Sequence, residues 1–185
     1  MGLFYVGAVL FLNGMMLLGK VDARAVGLFN LFVGCCRSSY PPCCWHRPAA
    51  TRRRRWPPPA STVRLYPYVG LNLLTGADST GVGYYSLFVA ISALGFSFVN
   101  FRIVHDRPFG VIWLYWSFLW FLFFLLLGLK WDRLTVYTGW VTAVEGWVTA
   151  AIPAFLILAG YWKHTATIAV LLAGFGVLMA VGCGR

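Results

Sequence analysis

The chain has 185 residues, of which 60% are hydrophobic and only 11% charged, with a formal net charge of +10 at pH 7. Its mean hydropathy of +0.74 is far above that of a water-soluble domain, which excludes a soluble globular enzyme and predicts an all-α, polytopic membrane helix bundle. With several spans in this length no separate catalytic domain fits, so residues 1–185 are expected to form a single transmembrane domain that works through its helices and short loops.

The first predicted span, Gly2 to Gly19, has no basic segment before it and ends in Lys20, Asp22 and Arg24 rather than in a small-residue cleavage site. It is therefore expected to be retained rather than removed as a signal peptide. Between Cys35 and Arg64 the character changes: Cys35, Cys36, Cys43, Cys44, Pro41, Pro42, Pro48, the run Arg52 to Arg55, and Pro57 to Pro59. An arginine at a helix centre costs about 2.5–3.5 kcal/mol on insertion scales and proline breaks the hydrogen-bond ladder, so no span is expected there. The flanking apolar stubs, Ala25 to Gly34 and Leu65 to Thr75, are too short to cross a bilayer.

The favoured reading of the Cys35 to Arg64 segment is a stretch translated out of frame from GC-rich coding sequence, in which a shifted frame yields Pro, Arg, Ala and Cys; a disordered basic loop is the other. As a patch for nucleic acid or anionic lipid, the arginine run lacks a fold to present it, and no nucleic-acid partner is expected. As a metal site, the cysteine pairs and His46 lack Cys-x2-Cys spacing.

Further spans are predicted at about Val82 to Val104, Phe109 to Leu129, Leu134 to Trp162 and Thr165 to Cys183, bounded by Arg102, Asp106, Arg107, Lys130, Asp132, Arg133 and Lys163. Their short connections predict antiparallel neighbours in a bundle, and glycines such as Gly174 and Gly176 would allow close helix approach. In the uncharged Phe109 to Leu129 span, Trp113, Trp116 and Trp120 lie within about 60° of one another on a helix. Two of them sit in mid-span, away from the interfacial belts where tryptophan usually clusters. Such a stripe fits either a pore wall or a packing face.

Glu145 lies well inside the Leu134 to Trp162 span, where an unpaired carboxyl is costly and must face the bundle interior. Thr142 and Thr149 share its face, and Trp140 and Trp147 are read as flanking it. Its role is either a hydrogen-bonded lock between helices or an acceptor for a solute amide or a proton. Asn13 and Asn100 are further polar groups within spans, with Asn100 expected to tie helices together. Pro153 would kink the Glu145 helix and free a carbonyl. No His-Glu-x-x-His, Walker loop or Gly-x-Ser-x-Gly occurs, and His46, His105 and His164 fall outside the spans, so neither an enzyme nor a cofactor is expected.

Several runs resemble the AmiS/UreI family of bacterial urea and short-chain amide channels. They are Gly2 to Gly14, Lys20-Val21-Asp22, Asn30 to Gly34, Tyr84 to Ile91, Ile112-Trp113-Leu114-x-Trp116-x-x-Leu119-Trp120, and Glu145-Gly146-x-x-Thr149-Ala150-x-Ile152-Pro153-Ala154. The resemblance extends along most of the chain. It departs at Cys35 to Arg64, which has no counterpart and disrupts the family's second and third helices, and Thr165 to Cys183 looks like an extra C-terminal helix.

The resemblance implies a six-helix protomer with its chain start outside the bacterial inner membrane, assembled as a homo-hexamer with one pore per protomer. It implies passive passage of urea or a short amide, beside a urease or an amidase. The implied pore residues are Trp113, Trp116, Leu119, Trp120 and Glu145, with Asn13 and with Tyr66 as the matching aromatic of the third helix; Thr62 stands one turn before it. The implied topology would put the arginine run outside, against the positive-inside tendency. The implied outward position of the three histidines leaves room for a weak pH response.

Overall fold

Within hydrocarbon a backbone N–H or C=O finds a partner only inside its own helix or on a neighbouring chain segment. The computed structural model describes residues 2–38, 60–162 and Gly174, and among them every regular element is helical. The helices are α1 (Gly2–Leu17), α2 (Ala23–Ser38), α3 (Ala60–Thr75), α4 (Thr80–Val99), α5 (Arg107–Phe123), α6 (Thr135–Glu145) and α7 (Ile152–Leu158). They fall into two compact units, one of Met1–Asp22 with Asp78–Arg185 and one of Ala23–Ala77.

In the larger unit three helical stretches are long and apolar enough to cross a membrane: Thr80–Val104, Arg107–Gly128 and Asp132–Leu158. They reproduce the predicted spans to within a few residues. Each contains one wider turn, at Asn100–Val104, Phe124–Gly128 and Gly146–Ala151, where the ladder slips from the i−4 to the i−5 carbonyl. The third slip ends just before Pro153, which has no N–H to donate, so the expected disturbance of the Glu145 helix takes the form of a π-helical turn. The first ends at His105, whose φ of 60° turns the chain. Asp106 then caps α5, its side chain accepting from the Phe109 N–H at 3.2 Å, with Pro108 in the first turn.

Small residues seven apart bring these helices together. Gly7 of α1 faces Gly146 and Gly14 faces Gly139, so that a methyl at either α1 position would lie 2.6 Å from the carbonyl oxygen opposite. On α4, Gly83 meets the backbone of Gly128. Ala90 accepts from Ser117 Oγ at 2.8 Å, and Ser97 donates to the Gly110 carbonyl at 2.8 Å. A seven-residue repeat keeps one face of a helix against its neighbour, and where lipid tails are as apolar as leucine, close backbone contact and cross-helix hydrogen bonds supply the attraction. The seam expected at Gly174 and Gly176 is not this one: Gly174 is exposed with nothing within 4 Å of an added Cβ, and Gly176 lies outside the described residues. Thr165 to Cys183 lies outside them too, apart from Gly174.

The smaller unit is the pair α2 and α3. Gly27 lies against the Gly70 carbonyl, and Gly34 against the ring of Pro67 within α3. Buried Asn30 donates to its own helix at the Val26 carbonyl, 2.9 Å away. The two helices overrun the predicted stubs, so the backbone at 35–38 and 60–64, assigned from sequence to the anomalous segment, is helical. Each has 16 residues, or ~24 Å at ~1.5 Å per residue, still short of a ~30 Å hydrocarbon core. Residues 39–59, with the arginine run and His46, lie outside the described residues.

At one end of the larger unit, Lys130 reaches from the loop after α5 to the loop before α4, its Nζ 2.7 Å from Asp78 Oδ1 and 3.1 Å from Ser79 Oγ. The ammonium, with help from Thr80, holds the Asp78 carboxyl down to about 2. Because this lies below the ~3.9 of an unfolded aspartate, the stabilisation is complete above pH ~4 and is lost as pH falls through about 2. Both side chains are largely exposed, so water screens the pair. Asp78→Asn is therefore expected to lower the melting temperature at pH 7 only slightly, and to flatten the fall between about pH 4 and 2 by the same small amount. Melts in detergent across that range check it, and a large loss at pH 7 would contradict it.

Candidate functional site

Thr138, Thr142, Glu145 and Thr149 fall at spacings of four, three and four, which set them on one face of the last span. All are buried; Glu145 is 4% exposed and the three threonines 0%. The strip expected around Glu145 thus exists and extends one turn further, to Thr138. Thr142 donates to the Thr138 carbonyl at 2.5 Å and Thr149 to the Glu145 carbonyl at 2.6 Å, the usual way a buried hydroxyl is satisfied within a helix. Two atoms on this face have no such partner: Oε2 of Glu145 and Oγ1 of Thr138 are buried without a hydrogen bond. A buried polar atom without a protein partner is uncommon.

Helix α5 presents its tryptophans to this region. Trp116 Nε1 donates to Thr149 Oγ1 at 2.9 Å, joining the aromatic stripe to the Glu145 strip. The Trp113 ring stands edge-on to Trp116, with centroids 4.9 Å apart at 80°, and lies 4.8 Å from Phe96 of α4. Trp120 is buried beside Phe123, 5.7 Å away. The indoles are therefore held among protein side chains. Leu119 is fully buried in a core cluster with Leu10, Leu122 and Val141. Asn13 is half-buried on α1, next to the Gly14 contact. Tyr66 is buried on α3 of the smaller unit.

Two expectations change. Trp140 and Trp147 do not flank Glu145; both are about half exposed, because on a helix positions five before and two after a residue point well away from it. Asn100 donates to its own helix at the Phe96 carbonyl, 2.8 Å away, instead of tying two helices. The indole N–H of Trp116 is committed to Thr149. Of the histidines, His105 is exposed, and His46 and His164 lie outside the described residues.

The long apolar helices, the small-residue seams and the buried polar strip are the features of a multi-pass membrane protein. Residues 1–161 match the profile of the AmiS/UreI family transporter. The chain is similar to a protein of Rhodococcus erythropolis named as the transporter protein AmiS2, at 42% identity over all of this chain and 90% of the relative. It is also similar to a protein of Mycolicibacterium smegmatis named as an amidate substrates transporter, at 42% identity over all of this chain and 89% of the relative. Among solved structures, the crystal structure of the Helicobacter pylori urea channel is similar with a TM-score of 0.71 at 30% identity, covering 88% of this chain and 98% of that one. The wide coverage and the shared fold agree on one conclusion: the chain belongs to the AmiS/UreI family, a family of membrane transporters and not of enzymes.

Proposed function

We propose that the chain is a passive channel of the bacterial inner membrane for urea or short aliphatic amides, with a passage in each protomer walled by Trp113, Trp116 and Trp120 and served by Glu145, with Asn13 and Leu119 nearby. The reading extends to a ring of six copies working beside a urease or an amidase. A relative named as a urea channel and one named as an amidate substrates transporter support the solute class. The observation that carries the reading is the buried Oε2 of Glu145, open for a hydrogen bond, on the helix that Trp116 joins through Thr149.

Urea is planar, neutral and small. Indole faces accept its faces, but they offer nothing to replace the hydration shell of an ion, so ions are rejected by desolvation cost. The open oxygen of Glu145 accepts from the solute's N–H groups, and a single such contact holds weakly enough for release. Trp120→Ala, which removes one wall, is expected to lower urea or acetamide flux several-fold in proteoliposomes at equal protein density. Unchanged flux would reject the assignment of the wall, and permeability no higher than that of empty liposomes would reject conduction altogether.

The open carboxyl oxygen also favours a second reading, a proton-coupled transporter with Glu145 as the proton carrier. Collapsing the proton gradient separates the two. Downhill flux through a channel persists, whereas coupled uptake stops.

A further inference from the structure

The hydroxyl of Thr149 has one proton, and the structure assigns it to the Glu145 carbonyl, 2.6 Å away within the same helix. Its oxygen can then only accept towards α5, and the group it meets there is the Trp116 N–H at 2.9 Å. The direction of both bonds is thereby fixed. Thr149 is fully buried and sits in the π-helical turn Gly146–Ala151, where the span leaves regular α-helical geometry. Trp113 is in turn packed edge-on against Trp116 and rests on Phe96.

Resting on the channel reading above, we infer that Thr149 is a positioning residue for selectivity: by accepting from the Trp116 indole it fixes that ring's rotation, and with it the Trp113 ring. The passage is then offered the ring's apolar face and edge, while its one donor is committed to the Gly146–Ala151 turn. An indole free to rotate would vary the width of the passage and offer solutes a donor they do not meet in the native protein. Discrimination between urea and the bulkier acetamide therefore depends on a side chain that touches neither solute.

The test uses the full-length protein. Thr149→Val keeps shape and burial but removes the acceptor, whereas Thr149→Ser keeps the hydroxyl. In protein labelled with 15N at tryptophan, the Trp116 indole resonance is identified by its absence in Trp116→Phe. Its hydrogen exchange should be about tenfold or more faster in Thr149→Val and near native in Thr149→Ser. In proteoliposomes the acetamide-to-urea permeability ratio should change roughly three- to tenfold in Thr149→Val and recover in Thr149→Ser, a recovery that mere loss of packing would not show. Trp116→Phe should shift the ratio alike, and the double variant no further.

Unchanged indole exchange in Thr149→Val, or altered exchange with a native permeability ratio, would overturn the inference. Should Thr149→Val not fold, Trp116→Phe decides, since a native ratio there overturns it equally. A native protein that conducts neither solute would sink the channel reading instead, and the exchange data would still settle whether Thr149 holds the Trp116 ring.

Discussion

Glu145→Gln is expected to reduce urea flux by roughly 5- to 100-fold at equal protein density, the equivalent of about 1–3 kcal/mol at a buried hydrogen bond. The side chains have the same shape, so packing along the buried strip is preserved. What changes is the open atom. Oε2 of Glu145 has no protein partner and can accept from solute; glutamine replaces one of the two carboxyl oxygens with an NH2 that only donates, leaving a single acceptor for urea, which approaches with donors on two of its three corners. Stopped-flow light scattering on proteoliposomes measures the effect. Flux equal to that of the native chain would show that the carboxyl serves as a lock between helices and not as a solute contact.

Gly14→Val is expected to have the largest effect on folding. A Cβ at Gly14 would stand 2.6 Å from the Gly139 carbonyl oxygen and 2.8 Å from the Ala143 Cβ, groups that no rotamer change can move aside. Overpacking against side chains costs about 1–3 kcal/mol, and against backbone the helices must separate, which opens the whole α1 seam. Loss of folded protein in detergent, or a melting temperature lowered by many degrees, is the expected outcome. Gly95→Ala is the matched contrast. Nothing lies within 4 Å of a Cβ there, so the usual gain of alanine over glycine in a helix, up to about 1 kcal/mol, should hold or raise the melting temperature. If both variants melt alike, the glycine seam does not hold α1 on the last span.

The seams were present in the chain as small residues seven apart: Gly7 and Gly14, Gly27 and Gly34, Gly83 with Ala90 and Ser97, Gly139 and Gly146. They are readable once the repeat is sought, but a glycine in an apolar span carries no mark of the helix it meets. By sequence alone Gly174 and Gly176 carry the same signal as the glycines of the seams. The strip of Thr142, Glu145 and Thr149 was legible because helical periodicity alone places residues three and four apart on one face. The same periodicity places Trp140 and Trp147 opposite Glu145, so their proximity in sequence misled. Asn100 was misassigned for another reason: a polar side chain inside a span must find a partner, yet its own helix offers one at the fourth residue back, and composition cannot choose between that and a neighbour.

What the solvent dictates is legible in the amino acids: that this chain is helical and membrane-spanning, where three of the spans begin and end to within a few residues, and that a carboxyl in mid-span has to face inward. Those follow from the cost of exposing charge and unpaired backbone to hydrocarbon, a cost each residue carries wherever the chain folds. Which donor meets which acceptor emerges only in the folded chain. That Trp116 gives its N–H to Thr149, that Thr149 has given its own proton to Glu145, and that one oxygen of Glu145 is left open depend on residues 33 and four positions apart meeting at about 3 Å or less. Such contacts are set by helix packing and by the slipped turn before Pro153, neither of which composition or periodicity specifies.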